Sequence, residues 1–169
     1  VEPTIQFLDA VMVIGHWHNF QVVDQGGMLL SPHVRALTAN TEILAKRHPK
    51  MIATISIVRH ETPISPKPVR DELATMMRET EHIEALTAVV LEATGIFASA
   101  LRTTLRTMTV MTGNRKLKIV SNVHDGILSL LPIVRNAEGV LVSRTELEAC
   151  VRKVRAAYDV HVARPASPA

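Results

Sequence analysis

His16 and His18 lie two residues apart and flank Trp17, a spacing that bears on metal chemistry. In a strand, residues two apart point to the same face, so two imidazoles could reach one ion. If Gly15 to Asn19 is instead a hairpin turn, the shared face is lost, and two ligands do not make a site in either case; no metal is expected. The other histidines (His33, His48, His60, His82, His124 and His161) are scattered, mostly near element ends where solvated or cap-like roles are ordinary. Cys150 has Arg152 and Lys153 beside it, which could lower a thiol pKa. It also lies between Leu147 and Val154 on the apolar side of a helix, so an inert buried cysteine is expected. Arg102 and Arg106 are one helical turn apart, with Arg115, Lys116 and Lys118 following. The two helical arginines are candidates for contact with a partner, against a plain solvated face. Nucleic acid is disfavoured, because no reading element accompanies them.

The four residues Glu92-Ala93-Thr94-Gly95 join an apolar strand to a long helix. Thr94 would stand at the helix N-terminus, where unpaired backbone N–H groups favour an anion or a phosphorylated hydroxyl. Simple capping by Thr, with Gly easing the turn, explains the same residues. Neither phosphate-binding glycine pattern, G-x-x-x-x-G-K-[ST] or G-x-G-x-x-G, is present, and the nucleophile elbow G-x-S-x-G is absent too. No nucleophile, base and orienting group are jointly indicated, so neither an enzyme nor a cofactor is expected.

The elements that must position these residues follow from hydrophobic spacing. Thr4 to Leu8 reads equally as an edge strand or a lead-in, and Ala10 to Ile14 and Phe20 to Val23 as an opening hairpin. Ser31-Pro32 and Ser65-Pro66 each read as an N-cap followed by proline, starting helices that carry Val34, Leu37, Thr41 and Leu44, and then Val69, Leu73, Met76 and Met77. Between and after them, Met51 to Val58, Leu86 to Leu91 and Leu117 to Val120 are strands of the buried type. A helix from about Ile96 to Met111 has a wide apolar face that includes Phe97, Leu101, Leu105 and Met108, and Gly113-Asn114 stops it. Asn122 starts a short helix that Pro132 ends, and Ser143 with Glu146 forms a capping box for a last helix striped by Leu147, Val151, Val154 and Tyr158. The order predicts an α/β fold: a mainly parallel sheet of about four to five strands, apolar on both faces, with helices packed on it and an extra C-terminal helix. One domain over residues 1–162 and a disordered tail over 163–169 are expected.

Composition narrows the function classes. Of 169 residues 47% are hydrophobic but only 3% aromatic, so five rings (Phe7, Trp17, Phe20, Phe97, Tyr158) are too few for base-stacking platforms. Net charge is +3, unevenly placed: residues 1–92 carry 8 basic and 11 acidic side chains, residues 93–169 carry 11 and 5. A basic second half could meet an acidic partner or serve only as a solvated face. One cysteine permits no intramolecular disulfide, and no apolar run approaches the length of a membrane span, so a cytoplasmic location is expected; the Val1 start suggests a trimmed N-terminus.

With Glu92, Ala93, Thr94 and Gly95 between strand and helix, the element order over about residues 10 to 133 resembles the STAS or SpoIIAA-like superfamily of anti-sigma-factor antagonist-type domains. There an Asp-Ser-Ser-Gly turn opens a helix after a central strand, and a partner kinase phosphorylates a Ser of the turn. Here Gly95 is identical, Glu92 stands for Asp and Thr94 for Ser. The long first helix is similar to the lipid-transfer-like branch, which often lacks that motif. The resemblance implies a non-enzymatic regulatory domain that binds a protein partner, a kinase or regulator, or a second copy, and is switched by phosphorylation at Thr94. Two other readings stand beside it: a self-assembling scaffold subunit using the helices from Ile96 and Arg144, and a carrier of an apolar ligand in the aliphatic, Met-containing interior.

Overall fold

A computed structural model of the chain describes residues 1–60 and 62–163. The elements run β1 (Thr4–Leu8), β2 (Met12–Trp17), β3 (Phe20–Gln25), α1 (Ser31–Arg47), β4 (Ile52–Val58), α2 (Lys67–Thr80), β5 (Glu84–Leu91), α3 (Gly95–Thr112), β6 (Leu117–Val120), α4 (Val123–Leu130) and α5 (Arg144–Val162). All six strands form one sheet in chain order, β1-β2-β3-β4-β5-β6. The pairs β1–β2 and β2–β3 are antiparallel, and β3–β4, β4–β5 and β5–β6 are parallel. The sheet is therefore mixed and six-stranded, where four to five mainly parallel strands were expected. Thr4–Leu8 supplies the additional edge strand.

The order of strands dictates the layers. From β3 to β6 it never reverses, so right-handed crossovers put α1, α2 and α3 on the same face. Whatever follows β6 must cover the other face. There α4 and α5 enclose Val13, Phe20, Val22, Ile55, Ile57 and Val90 with Ile127, Leu130, Leu147, Val151 and Val154. Helix α5 lies close to the sheet because β2 carries Gly15 beneath it: a Cβ there would stand 2.7 Å from Cγ2 of Val154. Buried Asn19 ties in the connection between α4 and α5. Its amide donates to the carbonyls of Met51 and Ile133, and its Oδ1 accepts from the N–H of Arg135.

Several local expectations are corrected. Strand β2 does not stop at Gly15 but continues to Trp17, and the turn tightens to His18-Asn19, with His18 at φ 55°. Neither Ser31 nor Ser65 is an N-cap; those positions belong to Leu30 and Pro66. The Ser31 hydroxyl donates to Glu72 of α2 at 2.7 Å, while His33 Nδ1 accepts from the Leu30 N–H at 2.8 Å and Nε2 meets Asp9 at 2.9 Å. Asn122 caps α4, and Ser143 with Glu146 makes the capping box of α5. Gly113 ends α3 at φ 68°. Of the expected tail, Ala163 caps α5 and residues 164–169 lie outside the described residues.

The sheet is not apolar on both faces. On the side of α1–α3, His16, Gln21, Thr54 and Thr87 are register partners across β2, β3, β4 and β5, forming a polar rung through the interior. Its sequence trace is the alternation Ala53-Thr54-Ile55-Ser56-Ile57, which sends the Ala and Ile side chains to the α4/α5 core and the hydroxyls to the other face.

Candidate functional site

Strand β5 ends at Leu91, and the Glu92 N–H still bonds the Val58 carbonyl at 3.0 Å. The chain then turns through buried Ala93 and exposed Thr94 into α3. Thr94 is the N-cap by backbone conformation, at φ −122° and ψ 167°, but its side chain makes no capping hydrogen bond. Capping therefore does not occupy its hydroxyl, in contrast to Asn122 and Ser143. Gly95 takes φ +69°, a left-handed conformation that L side chains adopt only under strain.

Glu92 turns away from Thr94 toward the opposite layer. Its carboxylate is held in a fork by Arg155 of α5, Nη1 at 2.7 Å and Nη2 at 3.0 Å. Arg155 also approaches Asp24, Nε at 3.6 Å. Asp24 is fully buried at the end of β3 and takes its main partner from Arg59, whose Nε lies 3.0 Å from both carboxylate oxygens. Arg59 extends to Asp159 on α5 and lies 4.6 Å over the Tyr158 ring, a cation–π contact. Hydrogen bonds to Asp24 hold the Arg59 guanidinium above its ordinary pKa. Burial raises the Tyr158 phenol, whose hydroxyl donates to the Ala10 carbonyl at 2.9 Å. Five ionic side chains thus lock the C-terminal ends of β3, β4 and β5 to α5. They fix one side of the turn, and α3 projects from the other.

On α3 the wide apolar face resolves into two stripes. Leu101, Leu105 and Met108 face inward. Ile96, Ala100, Thr103, Thr107, Val110 and Met111 fall within roughly 100° of one another at 3.6 residues per turn, and all six are exposed. Ile96 is 91%, Val110 81% and Met111 71% accessible. Arg102 and Arg106 flank this outer stripe, and neither has an ion-pair partner among the described residues. The Phe97 side chain lies outside the described residues. Thr94, Gly95, Arg102 and Arg106 thus share one helix, whereas Glu92 is engaged by α5.

The remaining candidates separate. His16 is buried on β2 and His18 is in the turn, so they share no face, and no group of three metal-ligating side chains occurs among the described residues. Cys150 is fully buried, and burial pushes its thiol up to about 12, away from the reactive thiolate. Lys116 is structural: its Nζ donates to the carbonyls of Glu81 and Glu84. The apolar stripe of α5 is buried against its own sheet. The Asp24, Arg59, Arg155 and Asp159 network has no linear signature, since Asp24 and Arg155 are far apart in the chain. Its one trace is an acid, Asp24, inside an apolar strand.

No protein-family model matches this chain, and no curated protein matches it. The fold and site define a three-layer α/β/α domain with a helix face that is exposed among the described residues, beside a braced strand-to-helix turn. No helix among the described residues is long and apolar enough to cross a membrane.

Proposed function

We propose that this chain is a non-enzymatic regulatory domain that works by protein–protein contact through the outer face of α3, with Thr94 as the switch. One observation carries the reading: a solvent-facing stripe of Ile96, Ala100, Thr103, Thr107, Val110 and Met111, without a charged residue, begins beside a threonine whose hydroxyl caps nothing. Water-exposed apolar surface of this kind favours association. The resemblance of the element order and of Glu92 to Gly95 to STAS or SpoIIAA-like domains supports the same reading. Phosphorylation would add nearly two negative charges where the helix field stabilises them, at the edge of the apolar stripe, and so change what a partner meets.

The experiment is affinity capture with the wild-type chain, Val110→Asp, Thr94→Ala and Thr94→Glu, each also passed through size-exclusion chromatography with light scattering. A partner, or a second copy, retained by wild type and Thr94→Ala but lost with Val110→Asp and weakened by Thr94→Glu is the expected result. Equal binding by Thr94→Ala and Thr94→Glu removes the switch. Association unchanged in Val110→Asp removes the α3 surface.

A further inference from the structure

Beneath α3, between the sheet and helices α1–α3, lies a cavity of about 140 Å³. Its walls are aliphatic, with Val23, Leu37, Met76, Leu101, Leu105 and Met108 among them. Polar groups line it too, and four of them gather at the sheet. Gln21, Thr54 and Thr87 of the rung reach it from neighbouring strands, and Glu84 closes the same end. The segment from Thr62 to Ser65 and Arg70 line it as well.

Two groups at that end are built for a partner. The Thr54 hydroxyl is buried, with 5% of the residue accessible, and has no hydrogen-bond partner among the described residues. A buried hydroxyl left unpaired costs the protein free energy that a bound polar group restores. Glu84 is 8% accessible. Its carboxyl accepts from Thr80 at 3.2 Å and Thr87 at 2.9 Å, and each carboxyl oxygen retains further acceptor capacity. Thr87 is the register partner of Thr54, so hydroxyl and carboxyl belong to adjoining positions of one surface.

We propose that this cavity binds a compact, neutral organic molecule with a single hydroxyl, the hydroxyl seated between Thr54 and Glu84 and the apolar body against Leu101, Leu105 and Met108. Size sets the first limit, because a cavity near 150 Å³ holds a molecule about as large as benzene, not an acyl chain. Charge sets the second. The burial that raises the Glu84 pKa disfavours charge at the end that holds Thr54, and Arg70, the cation on the wall, is engaged by the Ser65 carbonyl at 2.8 Å. A hydroxyl both donates and accepts, so it meets the Thr54 oxygen and a carboxyl oxygen together. The site is separate from the outer stripe of α3 and does not depend on the Thr94 reading.

Phenol and benzene are the test pair, titrated by calorimetry and by thermal melting into wild type, Thr54→Val, Thr54→Ser and Met108→Trp. Wild type is expected to bind phenol more tightly than benzene by roughly three- to tenfold, the worth of one net hydrogen bond. Thr54→Val abolishes that preference and leaves benzene binding intact, Thr54→Ser restores the preference, and Met108→Trp, which fills the space, excludes both. Without ligand, Thr54→Val melts higher than wild type. Equal affinity for phenol and benzene in wild type, or a phenol preference that survives Thr54→Val, overturns the hydroxyl-specific assignment. Saturable binding of neither molecule overturns the site and leaves a cavity filled by water.

Discussion

At the scale of single residues, Asp24 and Arg59 illustrate what burial does to charge. Asp24 is wholly removed from water and tolerable only because Arg59 forks onto it with Arg155 behind. Arg59→Ala strands a buried carboxylate, and the expected loss is about 3–5 kcal/mol, read as a lower urea midpoint. An Asp24→Asn, Arg59→Met double variant is expected to recover part of that loss. Burial disfavours the charged form of histidine as well. His16 has its pKa lowered by burial, with Arg47 adding repulsion against a side-chain contact to Asn40 that raises it. The folded chain therefore binds fewer protons here than the unfolded chain. The stabilisation is complete above the ordinary pKa near 6.5 and is lost as pH falls through that value toward the lowered one. Stability is expected to drop as the pH falls below about 6.5, and His16→Gln to flatten that slope. A residual slope remains from His48, lowered by burial, His18 and Arg47. None of this was visible in the sequence, where His16 stood out for its distance from His18 and Asp24 for nothing but its place in an apolar strand.

At the scale of elements, helix ends separate hydroxyls that act from one that does not. The Ser143 hydroxyl accepts from the Glu146 N–H while the Glu146 side chain returns to the Ser143 N–H, so Ser143→Ala is expected to cost about 1 kcal/mol. Thr94 caps nothing, so Thr94→Ala is expected to stay within about 0.5 kcal/mol of wild type, which makes it a clean functional variant. Urea unfolding of the two variants side by side checks both. Helix α3 is also held differently from its neighbours. Thr103, Thr104, Thr107, Thr109 and Thr112 each bond the carbonyl four residues back, a pattern that weakens helices, and the outer stripe is exposed among the described residues. Its amides are expected to exchange with solvent at lower protection than those of α5. Capping boxes, C-terminal glycine and hydrophobic spacing are local, which is why the helices were legible in the sequence to within a residue or two at most ends. Ser31 and Ser65 were misread because their neighbours in space, Glu72 for the Ser31 hydroxyl and Arg70 for the Ser65 carbonyl, determine what those groups do. The polar rung was half legible: Thr54 and Ser56 alternate with Ile, but only pairing across strands aligns them with Gln21 and Thr87.

At the scale of the whole molecule, strand order makes the last helix obligatory. Three successive crossovers place α1, α2 and α3 on one face of the sheet and leave the other to segments after β6. That face is the more apolar of the two, and α4, eight residues long, covers only the β4–β6 side of it. Helix α5 closes the remainder over β1–β3 with Leu147, Cys150, Val151, Val154 and Tyr158, all nearly inaccessible. It also carries Arg155 and Asp159, which complete the ion network at the strand ends. An extra helix appended to a finished domain would be dispensable; one that closes the sheet's apolar face would not be. Leu147, Val151 and Val154 alone each bury about 1.5–3 kcal/mol of apolar side chain, which together approaches the 5–15 kcal/mol net stability of an ordinary domain. A chain ending at residue 142 is therefore expected to lose cooperative unfolding, with no sigmoidal thermal transition by circular dichroism and collapsed amide dispersion by NMR. If the truncated chain instead melts cooperatively near the wild-type temperature, α5 is an appendage, and the sheet's apolar face must be closed by some other means.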